Sequence, residues 1–117
     1  MPQFTLLLRD SGDMFGKLSP AEIQAVIARY SGWVDGLKKA GKLSASHKLR
    51  DGEGRVVQRT GTKVMVSDGP FTEGKEVIGG LFVIEAPGYD EALSVVNDCP
   101  HLDFGSIEVR EIQVMRP

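Results

Sequence analysis

The stretch Val64-Met65-Val66-Ser67-Asp68-Gly69-Pro70-Phe71-Thr72-Glu73-Gly74-Lys75-Glu76-Val77-Ile78-Gly79-Gly80-Leu81-Phe82-Val83-Ile84 reads as a strand, an abrupt polar turn and a second strand. β-Branched and aromatic residues flank a Gly-Pro punctuation mark. Pro70 fixes its own φ and pushes Gly69 out of the right-handed helical region, so the backbone must leave the strand there. Asp68 is therefore a strand-end carboxylate. Such a group can act as a general base at a cleft mouth, or it can cap the turn's backbone N–H groups, which accounts for Asp, Gly and Pro with no ligand.

The second strand of the stretch is apolar on both faces, with Ile78, Phe82 and Ile84 alternating with Val77, Leu81 and Val83. An antiparallel strand in a small protein usually wets one face. The chain offers only two helices as cover for one side, so the expected cover for the other is the same sheet of a second subunit, a homodimer with sheets packed face to face.

Outward from this stretch, Phe4 to Leu8 is a short apolar run that Arg9 and Asp10 end, as expected of a buried strand. Ser19-Pro20-Ala21-Glu22 supplies an N-cap, a proline at the first helical position and an acidic residue three after the cap. The helix it opens carries Ile23, Ile27, Tyr30, Val34 and Leu37 on one face, widened by Val26 and Trp33, and closes at Lys38, Lys39 and Gly41. Tyr30 and Trp33 can line a pocket or fill the core.

Leu43 to Leu49 alternates, placing Leu43, Ala45, His47 and Leu49 on one face. His47 is there a candidate proton carrier or a histidine with a structural hydrogen bond. Asp51-Gly52-Glu53-Gly54 reads as a hairpin turn, Arg55 to Thr60 as a short exposed strand, and Thr62 to Ser67 as the central strand. A short second helix, Glu91 to Cys99, turns Ala92, Leu93 and Val96 inward and stops at Pro100. Cys99 fits packing better than catalysis, since a helix C-terminus does nothing to lower a thiol's pKa. His101 follows in a loop, either solvated or reaching a cleft. In the last strand, Ser106 to Val114, the apolar parity shifts between Val109 and Ile112, which predicts a bulge near Arg110-Glu111. Glu108 and Arg110 share a face, as an ion pair at a pocket or on the surface.

At 117 residues the chain makes a single domain, 1–117, with one modest core. Its net charge of −2 leaves no basic footprint for direct nucleic-acid contact. The single cysteine excludes an internal disulfide and any metal-type cysteine spacing; the residues assign no metal site and no cofactor, and they do not decide a metal requirement. The start has no basic n-region, and Phe4 to Leu8 is too short for a signal peptide or membrane span, which leads to a cytoplasmic expectation with no membrane partner.

The element order, strand, helix, strand, hairpin, strand, strand, helix, strand, fits an α+β, ferredoxin-like split βαβ plan with an added β-hairpin. The residues Asp68-Gly69-Pro70-Phe71-Thr72-Glu73-Gly74-Lys75-Glu76 with Gly79-Gly80, then Cys99-Pro100 and Gly105-Ser106-Ile107-Glu108-Val109-Arg110, resemble the YCII-related family and its DGPF-domain subgroup. Leu6-Leu7-Leu8-Arg9 and Ser19-Pro20-Ala21-Glu22 add to the likeness, which spans most of the chain. The resemblance implies a dimeric α+β barrel. Some relatives in the wider family look like enzymes on small, often chlorinated aromatics, with a first-helix histidine paired with an aspartate. Here the first helix has no histidine, Tyr30 stands near its place, and the dyad is not carried over. Members of the DGPF subgroup look like genomic companions of extracytoplasmic-function sigma factors.

These readings leave two main functions. One is a lyase-like or isomerase-like enzyme with Asp68 as base, His47 or His101 as proton partner, and Phe71, Tyr30, Trp33 and Arg110 binding a small molecule near Asp68. The other is a non-catalytic ligand-sensing or accessory module linked to sigma-factor transcription regulation. A purely structural dimer, whose Asp68 turn only fixes a strand connection, is the plainest third.

Overall fold

The protein's computed structural model describes residues 1–69 and 76–115. Its elements are β1 (Gln3–Asp10), α1 (Pro20–Lys39), β2 (Leu43–Lys48), β3 (Arg55–Thr60), β4 (Lys63–Asp68), β5 (Val77–Glu85), α2 (Tyr89–Val96), a 3₁₀ turn (Pro100–Asp103) and β6 (Ser106–Glu111). β2, β5, β1 and β6 form one antiparallel sheet in that order, and β3 and β4 form a separate two-stranded hairpin. With the hairpin set aside, the strand order follows the ferredoxin-like plan.

β1 alternates strictly. Phe4, Leu6 and Leu8 point into the core with Phe82 and Ile84 of β5, and there they meet Leu37 of α1 and Ala92 and Val96 of α2. The opposite sheet face carries Thr5, Leu7, Leu81 and Val83, each only half-buried. Both faces of β5 are thus apolar as the sequence suggests, and one lies open in the single chain. The molecule is a plate of 49 × 48 × 19 Å with a radius of gyration of 16.4 Å, against about 13 Å expected for a compact chain of this length.

α1 starts on a complete capping box: Ser19 Oγ accepts from the Glu22 backbone N–H at 3.2 Å, and Glu22 Oε1 accepts from the Ser19 N–H at 2.9 Å. Its inward residues are Val26 and Leu37, with Tyr30, Trp33 and Val34 beside them, whereas Ile27 is 44% exposed. The apolar stripe is therefore rotated toward Val26 and away from Ile27. Trp33 meets Phe82 edge-on at 5.0 Å and belongs to the core.

Several sequence expectations fail, most of them on strand pairing and local register. β4 is not central: among the described residues it pairs only with β3, so the two strands of the opening stretch lie in different sheets. Residues 51–54 connect sheets, and the hairpin turn falls at residues 61–62. A shift between Leu43 and Ala45 puts Leu43 opposite Ile84 on the core face, while Ala45 and His47 sit opposite Val83 and Leu81 on the open face. In β5 the partners of Leu8 and Arg9 are Gly80 and Ile78, so Gly79 is the extra residue of a bulge and Ile78 leaves the Phe82 face. No bulge interrupts β6, which runs in register from Ser106 to Glu111 and then ends. In α2, Leu93 is 48% exposed.

Leu6→Ala removes a fully buried side chain from the strand at the centre of the core and should cost about 2–5 kcal/mol in urea unfolding. Leu93→Ala should cost less than about 0.5 kcal/mol, as expected of a surface site. Equal losses would contradict this placement of the core.

Candidate functional site

Between α1 and the core face of the sheet lies a cavity of about 520 Å³. Leu8, Phe15, Ile27, Val34 and Phe82 give it apolar walls, Gly79 and Gly80 border its floor, and Asp10, Tyr30 and His101 are its inner polar groups. Ser31, Asp35, Lys38 and Lys48 line it from exposed positions on α1 and β2. Mostly apolar walls with a few convergent polar groups are the usual make-up of a small-molecule site.

His101 is held by two bonds. Pro100 opens the 3₁₀ turn that carries it, and the side chain is 2% exposed. Nε2 lies 2.8 Å from the Arg9 carbonyl oxygen and Nδ1 lies 2.8 Å from the Tyr30 hydroxyl. A carbonyl can only accept, so Nε2 carries the proton, Nδ1 is the acceptor in the neutral ring, and Tyr30 donates to it. The Arg9 carbonyl is reachable because residue 105 is glycine: a Cβ there would overlap that oxygen.

Burial raises the Tyr30 pKa well above the ordinary phenol range, and the negative charges of Cys99 and Asp10 add to the shift. Tyr30 is thus a firm proton donor at neutral pH. Asp10 is 9% exposed, its Oδ1 accepts from the Gly12 N–H at 2.7 Å, and its Oδ2 lies where a Cβ on Gly79 would come within 2.9 Å. Among the described residues no buried side-chain oxygen lacks a partner, so Oδ2, which has none, is open to the cavity. No group of three or more metal-ligating side chains occurs among the described residues.

Of the residues singled out from the sequence, the structure brings His101 and Tyr30 together. His47 borders the cavity through its strand, while its register opposite Leu81 turns its side chain to the open face. Asp68 is 91% exposed at the hairpin base, 3.2 Å from Arg55 Nε, and does not line the cavity. Asp68, His47 and His101 therefore do not converge within one chain. Trp33 lies in the core, Arg110 sits 3.9 Å from Glu108 on the surface, and Phe71 lies outside the described residues. His101, expected in a solvated loop or a cleft, is buried. Asp10 was not anticipated, because a carboxylate after an apolar run reads as the end of a strand.

Comparison with known proteins gives three findings. A sequence model of the YCII-related domain matches residues 3–116. An uncharacterized protein of Rhizobium meliloti (strain 1021) is 33% identical over 82 residues, 68% of this chain and 66% of that protein. Among solved structures, 5-chloro-2-hydroxyhydroquinone dehydrochlorinase (TftG) from Burkholderia phenoliruptrix AC1100, in complex with 2,5-dihydroxybenzoquinone, is 19% identical with a TM-score of 0.48, over 95% of this chain and 93% of that one.

The Tyr30 environment has a consequence for stability. Its folded pKa lies above the ordinary 10.0, so the folded chain holds a proton that the unfolded chain gives up. That contribution is whole below about pH 10 and is lost as the pH rises beyond it. Cys99, raised by burial above its ordinary 9.0, behaves alike from about pH 9. The urea midpoint should fall from pH 9 upward, and Tyr30→Phe should flatten the part beginning near pH 10. An unchanged alkaline slope in that variant would refute the assignment.

Proposed function

The chain belongs to the YCII-related domain family, and on that premise we propose that it is a cytoplasmic, DGPF-type homodimer that binds a small molecule in the cavity beneath α1 and acts on it by lyase-like or isomerase-like proton transfer. The observation that carries this reading is the Tyr30–His101 pair, in which His101 is buried and Tyr30 half-buried, with its tautomer fixed and bordering an apolar cavity. Both reaction types move a proton to or from the substrate and need a group that can give and take one.

The homodimer draws on the open sheet face and on the hairpin. Val57, Val64 and Val66 are 62, 54 and 61% exposed on one hairpin face, and a lone two-stranded hairpin is marginal in water. Asp68 stands outside the cavity of its own chain, so a catalytic part for it would require the second copy to bring it there. The same valines support a second reading, a ligand-sensing or accessory module of sigma-factor-linked regulation that offers this face to another protein.

A thermal-shift screen of small oxo acids, phenols and aldehydes tests the cavity. Some should raise the melting temperature of the native protein, and Ile27→Trp, which fills the cavity from a half-exposed position, should abolish the shift. A flat response throughout the panel would sink the small-molecule reading. Ligands that bind and remain chemically unchanged after long incubation would favour the sensing module. Light scattering should give twice the chain mass; a monomer that keeps its native spectrum would rule out the dimer.

A further inference from the structure

Resting on that reading of the cavity, we propose that Tyr30 takes and returns the substrate proton, that His101 Nδ1 stores Tyr30's own proton meanwhile, and that the substrate is a small 2-oxo acid with an apolar body. The orientation follows from charge. Asp10 places a carboxylate at the inner end, which repels a second carboxylate, while the exposed rim sets two cations, Lys38 and Lys48, against one carboxylate, Asp35. Lys48 is engaged with Asp51 at 2.8 Å, and Lys38 has no carboxylate within 4.0 Å among the described residues. The acid group therefore lies toward Lys38, the body against Ile27, Val34 and Phe82, and the carbon beside the carbonyl faces Tyr30.

The step balances without a co-reactant. The C3–H bond of the oxo acid breaks and its proton joins the Tyr30 oxygen as the hydroxyl proton passes to His101 Nδ1. The C–H electron pair becomes the C2–C3 double bond, and the carbonyl π pair becomes a lone pair on the enolate oxygen. His101 is then a cation, held by the Arg9 carbonyl. The reverse transfer returns one proton to the enolate oxygen or to C3, giving enol or keto product. His101 acts through Tyr30 and is a positioning and proton-holding residue. Tyr30 is the catalytic one.

Phenylpyruvate serves as the probe. Exchange of its C3 hydrogens in D₂O, followed by proton NMR, should run well above the buffer rate with the native protein. Loss of a general acid–base group typically costs about 10²–10⁴-fold, and Tyr30→Phe should lose at least about 10²-fold of that acceleration while phenylpyruvate still binds by calorimetry. Nitrogen-15 NMR of the native protein should show the His101 ring as the single Nε2–H tautomer, with an Nδ1 resonance that moves in Tyr30→Phe; this readout needs no substrate and no folded His101 variant. Phenylpyruvate that binds without exchange, or exchanges equally well in Tyr30→Phe, overturns the relay and leaves the cavity reading standing. Absence of phenylpyruvate binding overturns the substrate class, and a mixed or Nδ1–H tautomer overturns the role of His101.

Discussion

β1 is the element on which the rest of the structure depends, because it is hydrogen-bonded along both edges, to β5 and to β6. Its inward residues are the floor on which both helices pack. Phe4 and Leu6 are fully buried, and burying side chains of this size is worth about 1.5–3 kcal/mol each. The last inward position in the alternation is Asp10, where the strand runs out from under the helix layer. A position that would be apolar one turn of the pleat earlier thus becomes the carboxylate of the cavity. Core and site share one alternation.

The neighbouring residue, Arg9, joins the two sides of the sheet. Its side chain reaches Glu108 at 2.7 Å on the open face, while its carbonyl takes the His101 Nε2 proton within the fold. That carbonyl is approached from β6 only because Gly105 lacks a Cβ. Fixing Nε2 on a backbone oxygen decides which ring nitrogen meets Tyr30, so a backbone contact at the start of β6 sets the direction of a proton at a side chain of α1. The exposed Arg29–Asp103 pair, 2.7 Å long, also links α1 to the 3₁₀ turn, but at such exposure it adds little.

Much of this fold is legible in the residues. The Ser19-Pro20-Ala21-Glu22 cap, the apolar β1 run and the double-sided β5 are strong local signals, and each corresponds to what is observed. Strand pairing is less legible, since a run such as Val64 to Ser67 has the same β character whether it is central or confined to a hairpin. Register is less legible still: the shift at Leu43/Ala45 reverses the face of His47, and the Gly79 bulge reverses that of Ile78, though neither alters composition. The site suffers most. Tyr30 was visible as an aromatic on the helix face, but its partner lies 71 residues away, in a 3₁₀ turn that no periodicity marks. Asp10 is a cavity residue because the alternation of β1 turns it inward and Gly79, lacking a Cβ, leaves room for its Oδ2. The signal available in advance was the Gly79-Gly80 pair, since glycine inside a strand marks a bulge or a close approach.

The open face carries the last physical constraint. By register it presents Leu7, Leu81, Val83 and Ala45 as an apolar strip, with Arg9, Glu108 and Arg110 along the β6 side and His47 on β2. That layout, apolar centre and charged margin, is the composition of an interface rather than of a solvated sheet. A covering sheet cannot lie squarely over the β6 side, because the Arg9–Glu108 pair, about one-third exposed at each partner, would lose its water for a Coulomb gain that seldom repays the desolvation. The cover proposed above must therefore centre on β5 and leave β6 at the rim. Centred there, it lies over the strand whose other face floors the cavity, so the packing that would hold two copies together also stiffens the bulge at Gly79 and the Asp10 carboxylate resting against it.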